Sequence, residues 1–132
     1  MGECRCGVIG ETVLYKIHFY KDKQENQPVL EYMLDLQKQH DKDSRIKIKK
    51  IRDYINILAT YGVSAGEPYI KHIEGEIWEL RPLRDRIFFV AWNGNSFILL
   101  HHFMKKTQKT PKAEIEKAKR ELTEIKESGN YK

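Results

Sequence analysis

Between Tyr69 and Phe103 the chain offers four apolar, β-rich runs in succession, with no helix-length segment between them. Tyr69 to Ile73, Ile77 to Arg81, Arg86 to Trp92 and Ser96 to Phe103 are parted only by Glu74-Gly75, by Pro82 to Asp85 and by Asn93-Gly94, all with turn chemistry. Strands joined this tightly pair antiparallel, because a parallel neighbour needs a crossover of about a dozen residues or more. The runs therefore predict an antiparallel meander of three to four strands.

What flanks the meander completes an α+β plan. Val13, Tyr15, Ile17 and Phe19 alternate with Leu14, Lys16, His18 and Tyr20, the period of a strand. From Pro28, apolar side chains recur at Val29, Tyr32, Met33 and Leu36, which predicts a helix to about His40. A second helix can start at Asp43 or Ser44, carries Ile48, Ile51, Ile55 and Leu58 on one stripe, and closes at Gly62. Its other face holds Arg45, Lys47, Lys49, Lys50 and Arg52, a charge run most simply read as a solvated face. Thr110 can cap a last helix whose first position is Pro111, with Ile115, Ala118, Leu122 and Ile125 facing inward until Gly129. The order is strand, two helices, meander, helix, with no internal repeat.

At 132 residues the chain suits one compact core. The expected division is a disordered leader over 1–12, a single domain over 13–128 and a disordered tail over 129–132. Lys and Arg outnumber Asp and Glu 24 to 19, a net charge of +5 that favours polyanionic partners, nucleic acid first. The longest apolar run, Ile87 to Trp92, is far short of a bilayer, and no secretory leader pattern opens the sequence. A cytoplasmic protein with no membrane partner is expected. Cys4 and Cys6 lack a second pair of ligands at zinc spacing, and His101 and His102 are adjacent, so neither a metal nor another cofactor is expected.

Register identifies a candidate site. A four-residue loop over Pro82 to Asp85 sets Arg81 opposite Arg86. A two-residue turn at Asn93-Gly94 would pair Trp92 with Asn95 and set Arg86 opposite His101, or His102 after a slip of one. Two opposed arginines repel, so the row calls for a bound anion or an acidic neighbour, and Glu79 is the nearest acid. Beyond the last strand, Lys105 to Lys112 holds four lysines and no acid, and leads into a helix N-terminus. A plain array of edge charges that deters aggregation is the competing reading.

The stretches Ile77-Trp78-Glu79-Leu80-Arg81, Arg86-Ile87-Phe88-Phe89 and Leu99 to Pro111 resemble the phage-derived HigB-like branch of the RelE/ParE toxin superfamily. The resemblance covers about Tyr15 to Glu127. It implies a microbial-ribonuclease-like α+β fold and a ribosome-dependent endonuclease acting on mRNA at the 70S ribosome. It further implies neutralisation by a helix-turn-helix (HigA-like) antitoxin. Arg81 and Arg86 match the basic positions on the central strands of that family, and Lys105 and Lys106 the basic pair after the last strand. Glu79 stands where better-known RelE members place a basic residue, and their C-terminal catalytic tyrosine has no clear counterpart here.

Metal-free RNA cleavage needs a proton acceptor for the 2′-OH, cations for the phosphorane and a donor for the leaving oxygen. Arg81 and Arg86 suit the second task, because guanidinium grips phosphate through two parallel bonds, with Lys105 and Lys106 assisting. His101 is the first choice for proton transfer, since imidazole titrates near neutrality; a lysine of lowered pKa and Glu79 are the rivals. Glu79, Lys71, Lys109 and Trp78 are expected to contact the substrate, and Trp78, Phe103 and Tyr69 could stack on bases. The alternatives are a ParE-like inhibitor of DNA gyrase and a catalytically inactive nucleic-acid-binding partner of a helix-turn-helix repressor.

Overall fold

The computed structural model describes residues 14–129 and Tyr131. The expected leader, with Cys4 and Cys6, lies outside the described residues. Along the chain come β1 (Lys16–Phe19), α1 (Pro28–Lys38), α2 (Lys42–Tyr61), a 3-10 turn (Gly62–Ala65), β2 (Ile70–Glu74), β3 (Ile77–Leu80), β4 (Asp85–Trp92), β5 (Ser96–Met104) and α3 (Lys112–Ser128).

Local chemistry sets the helix ends. Pro28 opens α1, where a missing N–H costs nothing, and the Glu31 carboxylate accepts from the Gln27 N–H at 2.7 Å. The cap of α2 is Asp41 rather than the expected Asp43 or Ser44. Its carboxylate accepts from the Ser44 N–H at 3.0 Å and from the Ser44 hydroxyl at 2.8 Å, which lets Ser44 turn inward and be buried. Gly62 ends α2 at φ +63, and a Cβ there would meet the Tyr15 ring at 2.9 Å, so both backbone and space require glycine. The last helix starts one residue later than expected, at Lys112, with Pro111 as an N-cap that makes no side-chain bond.

The sheet has five strands in the order β1-β5-β4-β3-β2. The run from β2 to β5 is the expected antiparallel meander, while β1 lies parallel to β5 and makes the sheet mixed. Everything from α1 to β4 lies between β1 and β5, far more chain than the crossover that a parallel pair needs. One face buries Ile70, Leu80, Ile87, Phe89, Phe97 and Leu99 against Val29, Leu36, Ile48, Ile51 and Leu58 of α1 and α2. The other buries Ile77, Phe88, Val90, Ile98 and Leu100 under Ala118, Leu122 and Ile125 of α3. β4 and β5 are thus covered on both sides, which is why Ile87 to Val90 and Phe97 to Leu100 are continuously apolar rather than alternating.

Polar fastenings complete the layers. His101, 1% exposed, lies under α3 with Nδ1 2.6 Å from Glu121 and Nε2 3.0 Å from Glu114. Tyr131, expected in a loose tail, is instead docked. Its carbonyl accepts from Trp92 Nε1 at 2.7 Å and its hydroxyl from the Lys21 N–H at 2.8 Å. On the opposite face, Tyr32 of α1 stacks on His102, with centroids 3.8 Å apart and planes at 11°, and donates to the buried Asp85 carboxylate. Among the described residues no helix is long and apolar enough to cross a membrane.

Burial holds the His102 pKa below its ordinary value, with Asp85 opposing the shift. The folded chain therefore keeps a neutral ring where the unfolded chain takes up a proton, so this contribution to stability is full above about pH 6.5 and is lost as pH falls below it. Urea denaturation at pH 7.5 and 5.5 is expected to show the loss, and a His102→Phe variant is expected to lose less over the same interval.

Candidate functional site

The end of the meander under which α3 begins is where the charged residues of β2, β3 and β4 meet. Lys71 pairs with Glu79 across β2 and β3, and Leu80 pairs with Ile87 across β3 and β4. One step beyond that last pair, Arg81 stands opposite Arg86, as the four-residue loop implied. Glu79, Arg81 and Arg86 share a face with Ile77 and Phe88, on the α3 side of the sheet.

The third member of the expected row is different. Trp92 pairs with Ser96, not Asn95, because the turn holds three residues, Asn93 to Asn95, with Asn93 and Gly94 at positive φ. A bulge opposite Phe88 and Phe89 then takes up Leu100, since Phe89 pairs with Leu99 and Phe88 with His101. These two offsets of one residue set Arg86 opposite Phe103, not His101 or His102. The bulge turns His101 toward α3, and its two nitrogens are taken by Glu114 and Glu121. His101 thus presents no free nitrogen to a substrate and acts as a rivet between β5 and α3.

Glu79 is the centre of the cluster. Its residue is fully buried, and Oε2 lies 3.4 Å from Arg81 Nε and 3.8 Å from Arg86 Nε. Among the described residues, six buried side-chain nitrogen or oxygen atoms have no hydrogen-bond partner. Four of them belong to this trio: both Glu79 oxygens, Arg81 Nε and Arg86 Nε. Folded proteins rarely leave such atoms unpaired, so their concentration here makes this trio the candidate functional site. Burial raises the Glu79 pKa, while the charges of Arg86, Lys105, Arg81 and Lys71 pull it down. Burial lowers that of Arg86, with Glu79 opposing.

Each cation has its own anchor. Arg81 Nη1 donates to Glu67 at 3.2 Å, and its backbone N–H to the Tyr69 carbonyl at 2.9 Å. Arg86 Nη1 donates to the carbonyls of Leu83 at 2.8 Å and Asp85 at 2.9 Å. Leu83 holds φ at +57, a left-handed conformation that a leucine adopts at a cost of about 1–2 kcal/mol, in the loop that directs its carbonyl at the guanidinium. Lys105 is half-buried and tied by its N–H to the Arg84 carbonyl at 2.9 Å. Lys106 and Lys109 are exposed in the loop before α3, and the Lys109 carbonyl accepts from the Thr107 hydroxyl at 3.0 Å.

Of the aromatic candidates, Trp78 and Tyr69 fall on the other side of the sheet, whereas Phe103 lies opposite Arg86 on the α3 side. Trp78 packs on the α1 and α2 side of the sheet, edge-on to His72 at 4.9 Å, so the sheet separates it from the arginines. Tyr69 packs edge-on to Tyr54 at 5.1 Å on that side, and Phe103 packs on Phe88 at 5.1 Å. Sequence reasoning missed Glu67, Leu83, Tyr32 and Asp85 around Arg81 and Arg86. It also missed Glu114 and Glu121, whose spacing of seven on one helix face was the available signal.

Fold and cluster together define a small basic α+β domain that gathers arginines and lysines from several strands around one carboxylate. The chain belongs to the phage-derived protein Gp49-like family (DUF891), whose sequence model matches residues 34–123, from α1 into α3. That is a toxin-like family related to the RelE type, and the α+β order agrees with it. No curated protein gives a significant match to the chain.

The strained loop gives a direct check on the geometry. Leu83→Gly relieves the left-handed penalty but frees the unfolded chain, and is expected to leave stability unchanged or raise it by up to about 1 kcal/mol. Leu83→Pro, whose ring forbids positive φ, is expected to lower stability by more than about 1 kcal/mol. Urea denaturation of the two variants measures both.

Proposed function

We propose that this protein is the toxin of a type II toxin–antitoxin pair, of the HigB-like branch, which arrests translation by cutting mRNA on the ribosome without a metal. In this reading it acts in the cytoplasm and is held inactive by a helix-turn-helix antitoxin. The observation that carries the reading is the cluster itself: Arg81, Arg86, Lys105 and Lys71 around a buried Glu79 whose oxygens accept no hydrogen bond. Membership of a toxin-like, phage-derived family supports it.

The roles follow from the chemistry of each group. A phosphate drawn to Arg81 and Arg86 takes the place of Glu79 as their counter-ion, and so uncovers the carboxylate. Glu79, with its raised pKa, then accepts the 2′-OH proton, a task for which His101 has no free nitrogen. The 2′-oxygen attacks phosphorus, the guanidiniums stabilise the charge on the equatorial oxygens, and the bond to the 5′-oxygen breaks. Lys105 returns a proton to that oxygen. The products are a 2′,3′-cyclic phosphate and a free 5′-hydroxyl. Lys106 and Lys109, on the loop before α3, and Lys71 hold flanking phosphates.

Removing an electrostatic stabiliser of this kind costs about 100- to 1,000-fold in rate. Arg86→Ala is expected to stay folded and to lose growth arrest on induction, and equal toxicity of the variant would overturn the assignment. RNA ends mapping inside translated codons are the expected signature in the parent, whereas gyrase-dependent DNA breaks would instead favour a gyrase inhibitor. Glu79→Gln is expected to remove the acid limb of the pH–rate profile, where the rate rises as the carboxyl ionises.

A further inference from the structure

We infer that Tyr32 and Asp85, on the opposite side of the sheet from the cluster, are positioning residues for Arg86; this rests on the reading of that cluster as an RNA phosphate site. Asp85 joins the two sides. Its carboxylate, 1% exposed, faces α1, where the Tyr32 hydroxyl lies 3.0 Å from each oxygen. Its carbonyl accepts from Arg86 Nη1 at 2.9 Å. One residue thus has its side chain clamped by a helix while its backbone clamps the guanidinium.

Tyr32 is itself fixed, its ring flat on His102 at 3.8 Å. It is the donor that the structure gives the Asp85 carboxylate, and a buried carboxylate left without one is driven to move toward water. The segment that would move with it is the start of β4, Asp85 and Arg86, together with the loop before it. Its other ties, the Asp85 N–H to the Pro82 carbonyl at 3.1 Å, the Lys105 N–H to the Arg84 carbonyl at 2.9 Å and the pairing of Asp85 with Met104, run to the loop and to the end of β5. They keep the loop closed without fixing it to α1. Loss of the Tyr32 hydroxyl therefore displaces the guanidinium while the fold survives.

The test uses the full chain labelled with nitrogen-15, in which the Arg86 Nε–H resonance is assigned by its absence from Arg86→Lys. In Tyr32→Phe that resonance is expected to shift and broaden without RNA present, and RNA cleavage to fall about tenfold in kcat with little change in KM, since misplacement by a fraction of an ångström acts on the reacting geometry. Asp85→Asn keeps both an acceptor and the carbonyl and is expected to retain most of the rate, with a smaller shift than Tyr32→Phe. Should Tyr32→Phe not fold, Asp85→Asn reads the same coupling through a weakened bond, with a smaller shift expected. An unmoved Arg86 resonance in the folded variant overturns the inference. A moved resonance in a protein that cuts no RNA upholds the coupling and removes the RNA reading instead.

Discussion

Two arginines opposed across neighbouring strands repel one another, and the buried carboxylate of Glu79 is what allows them to share a site. Each side of that arrangement requires the other. A lone carboxylate at this depth would face a desolvation penalty of several kcal/mol, and the arginines without it would swing toward solvent. Yet the pairing is incomplete: Glu79 makes no hydrogen bond to either Nε, and the atoms stay unpartnered at 3.4 and 3.8 Å. Incomplete satisfaction in a buried polar group suits a place where an incoming phosphate accepts from the two Nε–H groups and a hydroxyl donates to the carboxylate.

The remaining architecture holds this cluster in place. β4 and β5, apolar on both faces, form the rigid middle of the sheet, and the arginines sit at its end where the strands run out. His101, gripped by two carboxylates of α3, closes one face, while the Tyr32 and Asp85 pair closes the other. Histidines at adjacent positions thus face opposite layers, one fastening each helix layer to β5. Both His101 nitrogens are taken, and His102 lies under α1, on the side of the sheet away from the arginines.

Much of this was legible in the sequence, for identifiable reasons. Turn chemistry and apolar runs fixed the meander, and the four-residue loop Pro82 to Asp85 was enough to place Arg81 opposite Arg86. The placement of His101 was not legible. It depended on a third turn residue, Asn95, and on a bulge at Leu100, and neither leaves a mark in the pattern of apolar residues when both faces of a strand are buried. Trp78, one residue from Glu79 and three from Arg81, is set on the face away from both by strand alternation alone. The parallel placement of β1 is set by how the chain crosses the sheet, which no local signal in Lys16 to Phe19 encodes. Contacts such as Tyr32 to Asp85 join residues 53 apart in sequence and belong to packing rather than to any motif.

Diffraction from crystals of the chain bound to a short RNA whose scissile 2′-OH is replaced by hydrogen tests the central claim most directly. The expected density places the uncut phosphate against the guanidiniums of both Arg81 and Arg86, with the Glu79 carboxylate facing the modified 2′-carbon. An RNA seated elsewhere, for instance along Arg45, Lys49 and Arg52 of α2, with Arg81 and Arg86 still turned to Glu79, would contradict it.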